Sequence, residues 1–225
     1  IENQMIQNSG ALYRNHKNGT SNINGFLEDY AATIEAFIAL YEVTFDEKWL
    51  LQAKELTDYA LTHFTDEASG MLYFTSDIDD SLIRRSIEVN DNVISASNSI
   101  MATNLLKLHK VYGKEGYGNK ANQMLKNVQN NFAENAQSFA NWMHLALFEN
   151  LNFYEIAIVG DNYKEFGKIM GTQYIPNSIL LGTQKEGTPE LLQNRYSQGQ
   201  TLIYVCIEGS CKLPVESPQK AIQQL

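Results

Sequence analysis

Several residue and segment types are scarce in this sequence, and each scarcity excludes a class of protein. Only two of its 225 residues are cysteine, Cys206 and Cys211, so a disulfide framework does not organise the fold. Only four are proline, which is few and suits a helix-rich fold. No apolar run reaches the roughly 18 residues of a transmembrane helix, and the first residues show no signal-peptide pattern. We therefore expect a soluble, cytoplasmic chain without a membrane partner.

Positive charge is also in short supply. The chain has 17 Lys and Arg residues against 26 Asp and Glu residues, which gives a formal net charge of −9. The basic residues are scattered singly, apart from the adjacent pair Arg84 and Arg85. Binding to a phosphate backbone needs a basic surface, so this composition argues against a nucleic-acid partner.

Metal-binding and nucleotide-binding motifs are missing as well. The four histidines have neither HxxxH nor HxH spacing, and the two cysteines lack the accompanying ligands of a zinc site. The spacing Cys206-x4-Cys211 differs from the CxxC redox motif, which favours a structural pair of either redox state. The phosphate-binding motifs GxGxxG and GxxxxGK[ST] do not occur. The sequence therefore predicts no metal and no cofactor.

The stretch from Asn24 to Ala31 joins a glycine turn to a strongly amphipathic helix. From Leu27 onward, apolar residues recur at the i, i+3, i+4 and i+7 spacing of one helix face. Glu28 and Asp29 fall in the first helical turn, where the helix dipole stabilises negative charge. Two interpretations stay open: the carboxylates belong to the start of a helix, or they form an acidic pair at the mouth of a pocket.

Two helical hairpins are predicted, and a shift of 68 residues relates them. Their four helices span about 26–44 and 47–64, then 95–112 and 117–132. The shift matches apolar residues without a gap: Phe37 with Leu105, Ile38 with Leu106, Leu40 with Leu108, Val43 with Val111, Trp49 with Tyr117, Ala53 with Ala121, Leu56 with Met124, and Phe64 with Phe132. A constant register through two helices and their loop favours a structural repeat over a chance match.

Other segments are predicted around these hairpins. Residues 12–14 could pair as an edge strand, and 15–24 has the composition of a loop. Residues 71–75 and 82–89 are predicted to form a β-hairpin excursion between the two helical hairpins. A helix at about 136–150 would be half of a third hairpin.

The composition changes at Phe153. Three short apolar runs predict strands, and the segment between the first two predicts a helix. The strands are 154–159, 177–182 and 201–206, and the helix is about 162–172. Strand, helix and strand at this spacing indicate a parallel β-α-β unit. A last helix, 217–225, begins with a favourable Ser-Pro pair.

The second dense polar stretch runs from Asn90 to Ser99 and opens the second hairpin as Glu28 and Asp29 open the first. Its side chains can bond sugar-type hydroxyls, and they can equally cap a helix. Carboxylates facing each other across a cavity could perform acid–base chemistry on a glycosidic or carbonyl substrate. The catalytic candidates are Glu28, Asp29 and Asp91, and the substrate-binding candidates are Asn92, Ser97 and Asn98.

Several short stretches, in order over nearly the whole chain, together resemble one known family. They are Gly25-Phe-Leu-Glu-Asp-Tyr-Ala31, Leu40-Tyr-Glu42, Asp91-Asn92 with Ser97-Asn98-Ser99, Ile158-Val-Gly160, and Tyr204-Val-Cys206 through Cys211 to Pro214. This set resembles the C-terminal part of the thioredoxin-domain proteins similar to spermatogenesis-associated protein 20. The resemblance implies a toroid of the six-hairpin glycosidase type, similar to N-acylglucosamine 2-epimerases, after an N-terminal thioredoxin-like domain. The catalytic histidines of those epimerases have no match in this chain.

We therefore predict a mainly α fold, a partial (α/α)6 six-hairpin toroid with a small three-stranded α/β lobe. The toroid segment with its β-hairpin excursion would span 1–152, and the lobe with the C-terminal helix would span 153–225. The chain begins at Ile1 and the fifth helix lacks a partner, so we expect the rest of a longer chain, with its thioredoxin-like domain. Exposed hairpin faces would be covered by that chain or by a second copy in a homo-oligomer.

Two functions stay open at this point. The first is a toroid that binds or processes a small sugar-like ligand, of unknown substrate, at the candidate residues. The second is a non-catalytic scaffold or interaction module that serves the thioredoxin-like domain. The sequence does not decide whether the chain is an enzyme.

Overall fold

The computed structural model describes residues 1–79 and 84–225, and within them the fold is mainly helical with a small sheet. The α-helices are α1 (Leu27–Thr44), α2 (Lys48–Phe64), α3 (Ser97–Tyr112), α4 (Glu115–Val128), α5 (Ala140–Asn150), α6 (Tyr163–Met170) and α7 (Pro218–Ile222). The strands are β1 (Tyr13–Lys17), β2 (Thr20–Asn24), β3 (Tyr154–Val159), β4 (Ser178–Thr183), β5 (Leu202–Ile207) and β6 (Ser210–Cys211). The predicted mainly α class is confirmed. None of the described helices combines the length and the apolar character needed to cross a membrane.

The two predicted hairpins are present, and their similarity extends to the helix ends. α1 packs against α2, α3 packs against α4, and α1 also packs against α3. Each first helix ends at a residue in the left-handed region, Phe45 with φ 55° and Gly113 with φ 62°. The backbone N–H groups of these residues donate to the carbonyl oxygens of Tyr41 and His109 respectively. Both pairs of positions are 68 residues apart, so the repeat includes the helix C-caps.

The repeat is not exact in burial. Leu108 and Val111 are fully buried, whereas their equivalents Leu40 and Val43 are 40% and 82% exposed. The two helices have different neighbours: α3 packs against α1, α4, α5 and the 3-10 helix Glu190–Leu192, whereas α1 packs against α2, α3 and α6. The 68-residue shift matched these positions, but only packing against neighbours decides whether a matched position is covered.

The β-hairpin predicted over 71–75 and 82–89 does not form in the described part of the segment, 71–79 and 84–89; the prediction for 82–83 falls outside the described residues. Leu72 takes part in one isolated bridge, to Thr65, and the rest has no strand. One backbone bond joins the two described parts, from the N–H of Phe74 to the carbonyl of Ser86 at 2.7 Å, and other backbone groups bond to helix ends. Tyr73 donates its N–H to the carbonyl of Phe64 at 2.7 Å, and Leu27 donates to the carbonyl of Phe74 at 2.9 Å.

A hairpin forms where a loop was predicted. β1 and β2 pair antiparallel, with Lys17 opposite Thr20. The connecting residues Asn18 and Gly19 both have positive φ, 52° and 79°. Asn-Gly is the preferred pair for a two-residue turn of this kind, so the signal was present in the sequence and was missed among the surrounding asparagines.

The sheet has four strands in the order β4-β3-β5-β6, one more than predicted. β3 and β4 are parallel and flank α6 in sequence, as the predicted β-α-β unit requires. β5 is antiparallel to β3, and the two-residue β6 returns beside β5. β6 contains no apolar run, so apolar runs do not predict it. It is placed by the turn at Glu208 and Gly209, both with positive φ, and by the disulfide between Cys206 and Cys211.

The helical part and the sheet share one contiguous hydrophobic core. The end of α1 covers the outer edge of β4, where the carboxylate of Glu42 accepts from the N–H of Leu180 at 3.0 Å and the hydroxyl of Tyr41 accepts from the N–H of Gly182 at 3.4 Å. An uncovered sheet edge would leave these N–H groups without protein partners. The division of the chain at residue 153 stays a prediction.

Candidate functional site

The two carboxylates at the start of α1 are joined by a cation from the strand before it. Arg14 of β1 donates from Nη1 to Glu28 Oε1 at 2.7 Å and to Asp29 Oδ2 at 2.9 Å. Its guanidinium also lies 4.7 Å from the centre of the Phe26 ring. Hydrogen bonding to Glu28, with the negative charge of Asp29 nearby, raises the pKa of Arg14. The arrangement keeps a fixed positive charge between two negative ones.

Asp29 also performs the helix-start role. Its Oδ2 accepts from the backbone N–H of Phe26, the N-cap residue of α1, at 2.8 Å. This is the acidic half of a capping box, and it satisfies a donor that the helix leaves unpaired. Glu28 is held by the ion pair with Arg14, and its side chain is 25% exposed.

A cavity of about 510 Å³ opens beside these residues. Arg14, Glu28 and Asp29 line one part of it, and Ile94 and Ser95 line another. Much of the remaining wall is supplied by Met5, Leu12, Tyr13 and Ile100. The starts of the first and second hairpins therefore meet at one space, which we call the helix-start cavity.

Asp91 lies outside that lining and is occupied by structural contacts. Its Oδ1 accepts from the N–H of Ala96 at 2.9 Å and from the hydroxyl of Ser99 at 3.0 Å. Its Oδ2 accepts from the N–H of Asn141 at 2.8 Å. These donors stand at the starts of α3 and α5, so Asp91 ties two helix N-termini together.

The remaining candidates divide between the interior and the surface. Asn98 is fully buried and bonds both backbone groups of Leu72 and the carbonyl of Glu88, each at 2.9 Å. Ser97 is buried beside it, and its Oγ has no hydrogen-bond partner among the described residues. Asn92 is exposed. The structure thus brings Glu28 and Asp29 together, and it places Asp91, Ser97, Asn98 and Asn92 away from the helix-start cavity lining. A catalytic or binding role for these six residues stays a prediction.

Sequence analysis missed Arg14, the cation of the site. It lies in a strand five residues long, and the only signal was the apolar-aromatic patch at 12–14. Ser95 was noted within the polar stretch without being separated from its neighbours. Over residues 1–79 and 84–225, no group of three or more His, Cys, Asp or Glu side chains is placed to hold a metal ion.

Comparisons with known proteins show similarity in sequence to much longer chains. No family model matches. The chain is 27% identical over 207 residues to spermatogenesis-associated protein 20 of Homo sapiens, covering 86% of this chain and 26% of that protein. The Rattus norvegicus protein of the same name is 25% identical over the same shares, and an uncharacterized Caenorhabditis elegans protein is 34% identical over 48% of this chain and 14% of its own length. The chain therefore spans about a quarter of the length of the human and rat relatives.

One solved structure also shares some similarity. A GH76 α-mannanase of Bacteroides thetaiotaomicron is 18% identical with a TM-score of 0.40, covering 52% of this chain and 30% of that chain. The predicted resemblance to proteins similar to spermatogenesis-associated protein 20 is confirmed at the level of sequence.

Proposed function

We propose that this chain is part of a toroid of helical hairpins and that its helix-start cavity binds a small sugar-type ligand. One observation carries the proposal: residues from the starts of two repeat-related hairpins, Glu28 and Asp29 in one and Ser95 beside the other, line a single cavity. A volume of about 510 Å³ lies within the range of sites for small molecules.

The cavity offers the contacts that a sugar needs. Carboxylate oxygens of Glu28 and Asp29 accept hydrogen bonds from hydroxyl groups, and Arg14 donates them. The ring of Tyr13 provides an apolar surface for the C–H face of a sugar. Such a combination, mostly apolar walls with a few convergent polar groups, is typical of pockets that orient a small ligand.

The geometry supports binding better than glycoside hydrolysis. Hydrolysis needs one carboxylate on each side of the scissile bond. Glu28 and Asp29 are adjacent and share one arginine, whereas both oxygens of Asp91 accept from groups at helix starts. Among the described residues, the proposed site therefore holds a ligand without a catalytic pair of carboxylates.

A thermal-shift screen of the full-length protein against mono- and disaccharides tests the proposal, with isomerisation followed in parallel. We expect at least one saccharide to raise the melting temperature, and Glu28→Gln to weaken that effect because it removes a charged acceptor. Glu35→Gln, an exposed change on the same helix, is the matched control. If no saccharide shifts the melting temperature and none is turned over, the proposal fails.

A non-catalytic scaffold is the second candidate, and a different observation favours it. The side-chain groups of Asp91 and Asn98 are used to join α3 to α5 and to the segment before it. In this case the chain would support the rest of a longer protein, including a thioredoxin-like domain. Replacing Asp29 or Asp91 by alanine separates the two: loss of fold without any ligand phenotype favours the scaffold, and loss of saccharide binding in a folded Asp29→Ala protein contradicts it.

A further inference from the structure

A second cavity, of about 440 Å³, lies at the opposite end of α3. It is lined by His109 and Lys110 of α3 and by Gly113, the C-cap of α3, together with Glu190 and Arg195 from the segment between β4 and β5. The β5–β6 turn closes another side through Glu208 and Gly209. We call this space the Lys110 cavity.

The internal repeat shows why the Lys110 cavity is open. A shift of 68 residues relates His109, Lys110 and Gly113 to Tyr41, Glu42 and Phe45. In the first hairpin the Phe45 ring fills the space between the hairpin, the sheet and α6. It packs so closely against Gly167 of α6 that a Cβ atom built on Gly167 would come within 2.2 Å of the ring.

At the equivalent position of the second hairpin, Gly113 carries no side chain. The backbone conformation does not by itself require glycine there, because Phe45 adopts nearly the same φ, 55° against 62°. The space is occupied in part by the Glu190 carboxylate, whose Oε2 lies 1.8 Å from where a Cβ of Gly113 would stand. A charged group thus enters the position that an aromatic ring fills in the first hairpin.

One wall of the cavity is a buried ion pair. Lys110 Nζ lies 2.7 Å from Glu208 Oε1 and 3.6 Å from Glu155 Oε1, and the Lys110 and Glu155 side chains are only 6% and 4% exposed. The second oxygen of Glu155 accepts from the N–H of Gly209 at 3.0 Å. Lys110 and Glu155 compensate each other inside the protein, whereas Glu208 is 74% exposed and leaves this wall with one more negative than positive charge.

The remaining charged groups of the cavity have opposite signs. Arg195 is held by its Nε, which donates to the Leu191 carbonyl at 2.6 Å, and by its Nη1, which lies 3.1 Å from Cys211 Sγ. Glu190 supplies a carboxylate above Gly113. His109 also lines the cavity, and its ring nitrogen Nδ1 is closed off from solvent and has no hydrogen-bond partner among the described residues.

We propose that the Lys110 cavity binds a small zwitterion of the amino-acid type. Its ammonium group would pair with Glu190 and its carboxylate with Arg195, so both charges of the ligand meet an opposite charge. A purely anionic ligand is disfavoured, because four carboxylates line the cavity against Lys110 and Arg195: Glu115, Glu155, Glu190 and Glu208. The proposal does not depend on sugar binding at the helix-start cavity.

Ligand-observed NMR of the full-length protein with a mixture of the free amino acids identifies the ligand, and calorimetry then gives its affinity. The matched amine without a carboxylate and the matched acid without an amine should each bind at least ~10-fold more weakly, since each loses one charge-assisted contact. Equal binding by either single-charge compound overturns the zwitterion assignment, as does the absence of any amino-acid signal.

Binding by variants tests whether the ligand occupies the Lys110 cavity. Glu190→Gln and Arg195→Gln should each weaken binding by at least ~10-fold, and the matched control Glu165→Gln, an exposed change on α6, should not. Gly113→Phe, which restores the residue of the first hairpin, should abolish binding. Because Glu190 is exposed, its variant should remain folded, as circular dichroism would show. Unchanged affinity in the folded Glu190→Gln protein overturns the proposal.

Discussion

At the scale of single residues, the same kind of side chain serves different purposes at the two hairpin starts. Asp91 places its carboxylate on groups at the starts of α3 and α5, whereas Glu28 faces Arg14 beside a cavity. From the sequence, capping and pocket-lining both stay open for the two residues. Whether Asp91 caps helices or lines a pocket depends on its contact with Asn141, fifty residues further on. The local sequence pattern carries no information about that contact.

Asp91→Ala should destabilise the protein by about 1–3 kcal/mol, because it leaves donors at two helix starts, buried in Ala96 and half-buried in Asn141, without that acceptor. Glu28→Gln should cost less, at most about 1 kcal/mol, since a partly exposed ion pair contributes little. Urea unfolding of the two variants beside the wild type measures both values. Equal losses would show that Asp91 has no special structural role.

Glu42 should make stability depend on pH. Burial raises the pKa of its carboxyl above the ordinary 4.5, although Lys107 and the N–H of Leu180 oppose the change. The folded protein then keeps this proton to higher pH than the unfolded chain, so this group's contribution to stability falls as pH rises from 4.5 through the folded-state pKa.

Glu42→Gln should remove that contribution, so its stability relative to the wild type should increase with pH across the same window. Its side-chain oxygen can still accept from Leu180. Urea unfolding at a series of pH values measures the difference, with the exposed Glu35→Gln as control. A difference that is flat with pH, or that matches the control, would be the contrary result.

At the scale of elements, the helices were predictable and the short β segments were less so. Apolar spacing predicted α1 to within one residue at its start, and the repeat predicted that Phe45 and Gly113 occupy equivalent places. Residues 71–75 have strand-like composition, yet Tyr73 and Phe74 bond to the end of α2 and the start of α1, and such competition appears only in three dimensions.

Two helical glycines should respond oppositely to alanine. Gly167→Ala should destabilise the protein by about 1–3 kcal/mol, because the new Cβ would stand 2.2 Å from the Phe45 ring, which is packed in the core. Gly116→Ala in the first turn of α4 should stabilise it by up to about 1 kcal/mol, since its Cβ meets nothing within 4 Å. Thermal unfolding of both variants tests the pair, and changes of the same sign would contradict this account of α6 packing.

At the scale of the whole molecule, the repeat and the sheet together position both cavities. The helix-start cavity lies where two hairpins begin, and the Lys110 cavity lies where the second hairpin ends against the sheet. The first was partly predictable, because Glu28 and Asp29 form a visible motif. The positions of Arg14, Glu190 and Arg195 were not predictable from the sequence. Pairing of β1 with β2 brings Arg14 into place, and the 3-10 helix Glu190–Leu192 positions Glu190 and the segment that leads to Arg195.

The most direct test of sugar-type binding is a calorimetric titration of the full-length protein with the best saccharide from the screen. The comparison is between the wild type, Ala32→Trp and Ala36→Trp. Both alanines are exposed on α1 one turn apart, but only Ala32 lines the helix-start cavity. We predict that Ala32→Trp abolishes binding by filling the cavity and that Ala36→Trp binds like the wild type. Undiminished binding by a folded Ala32→Trp protein would contradict the proposed site.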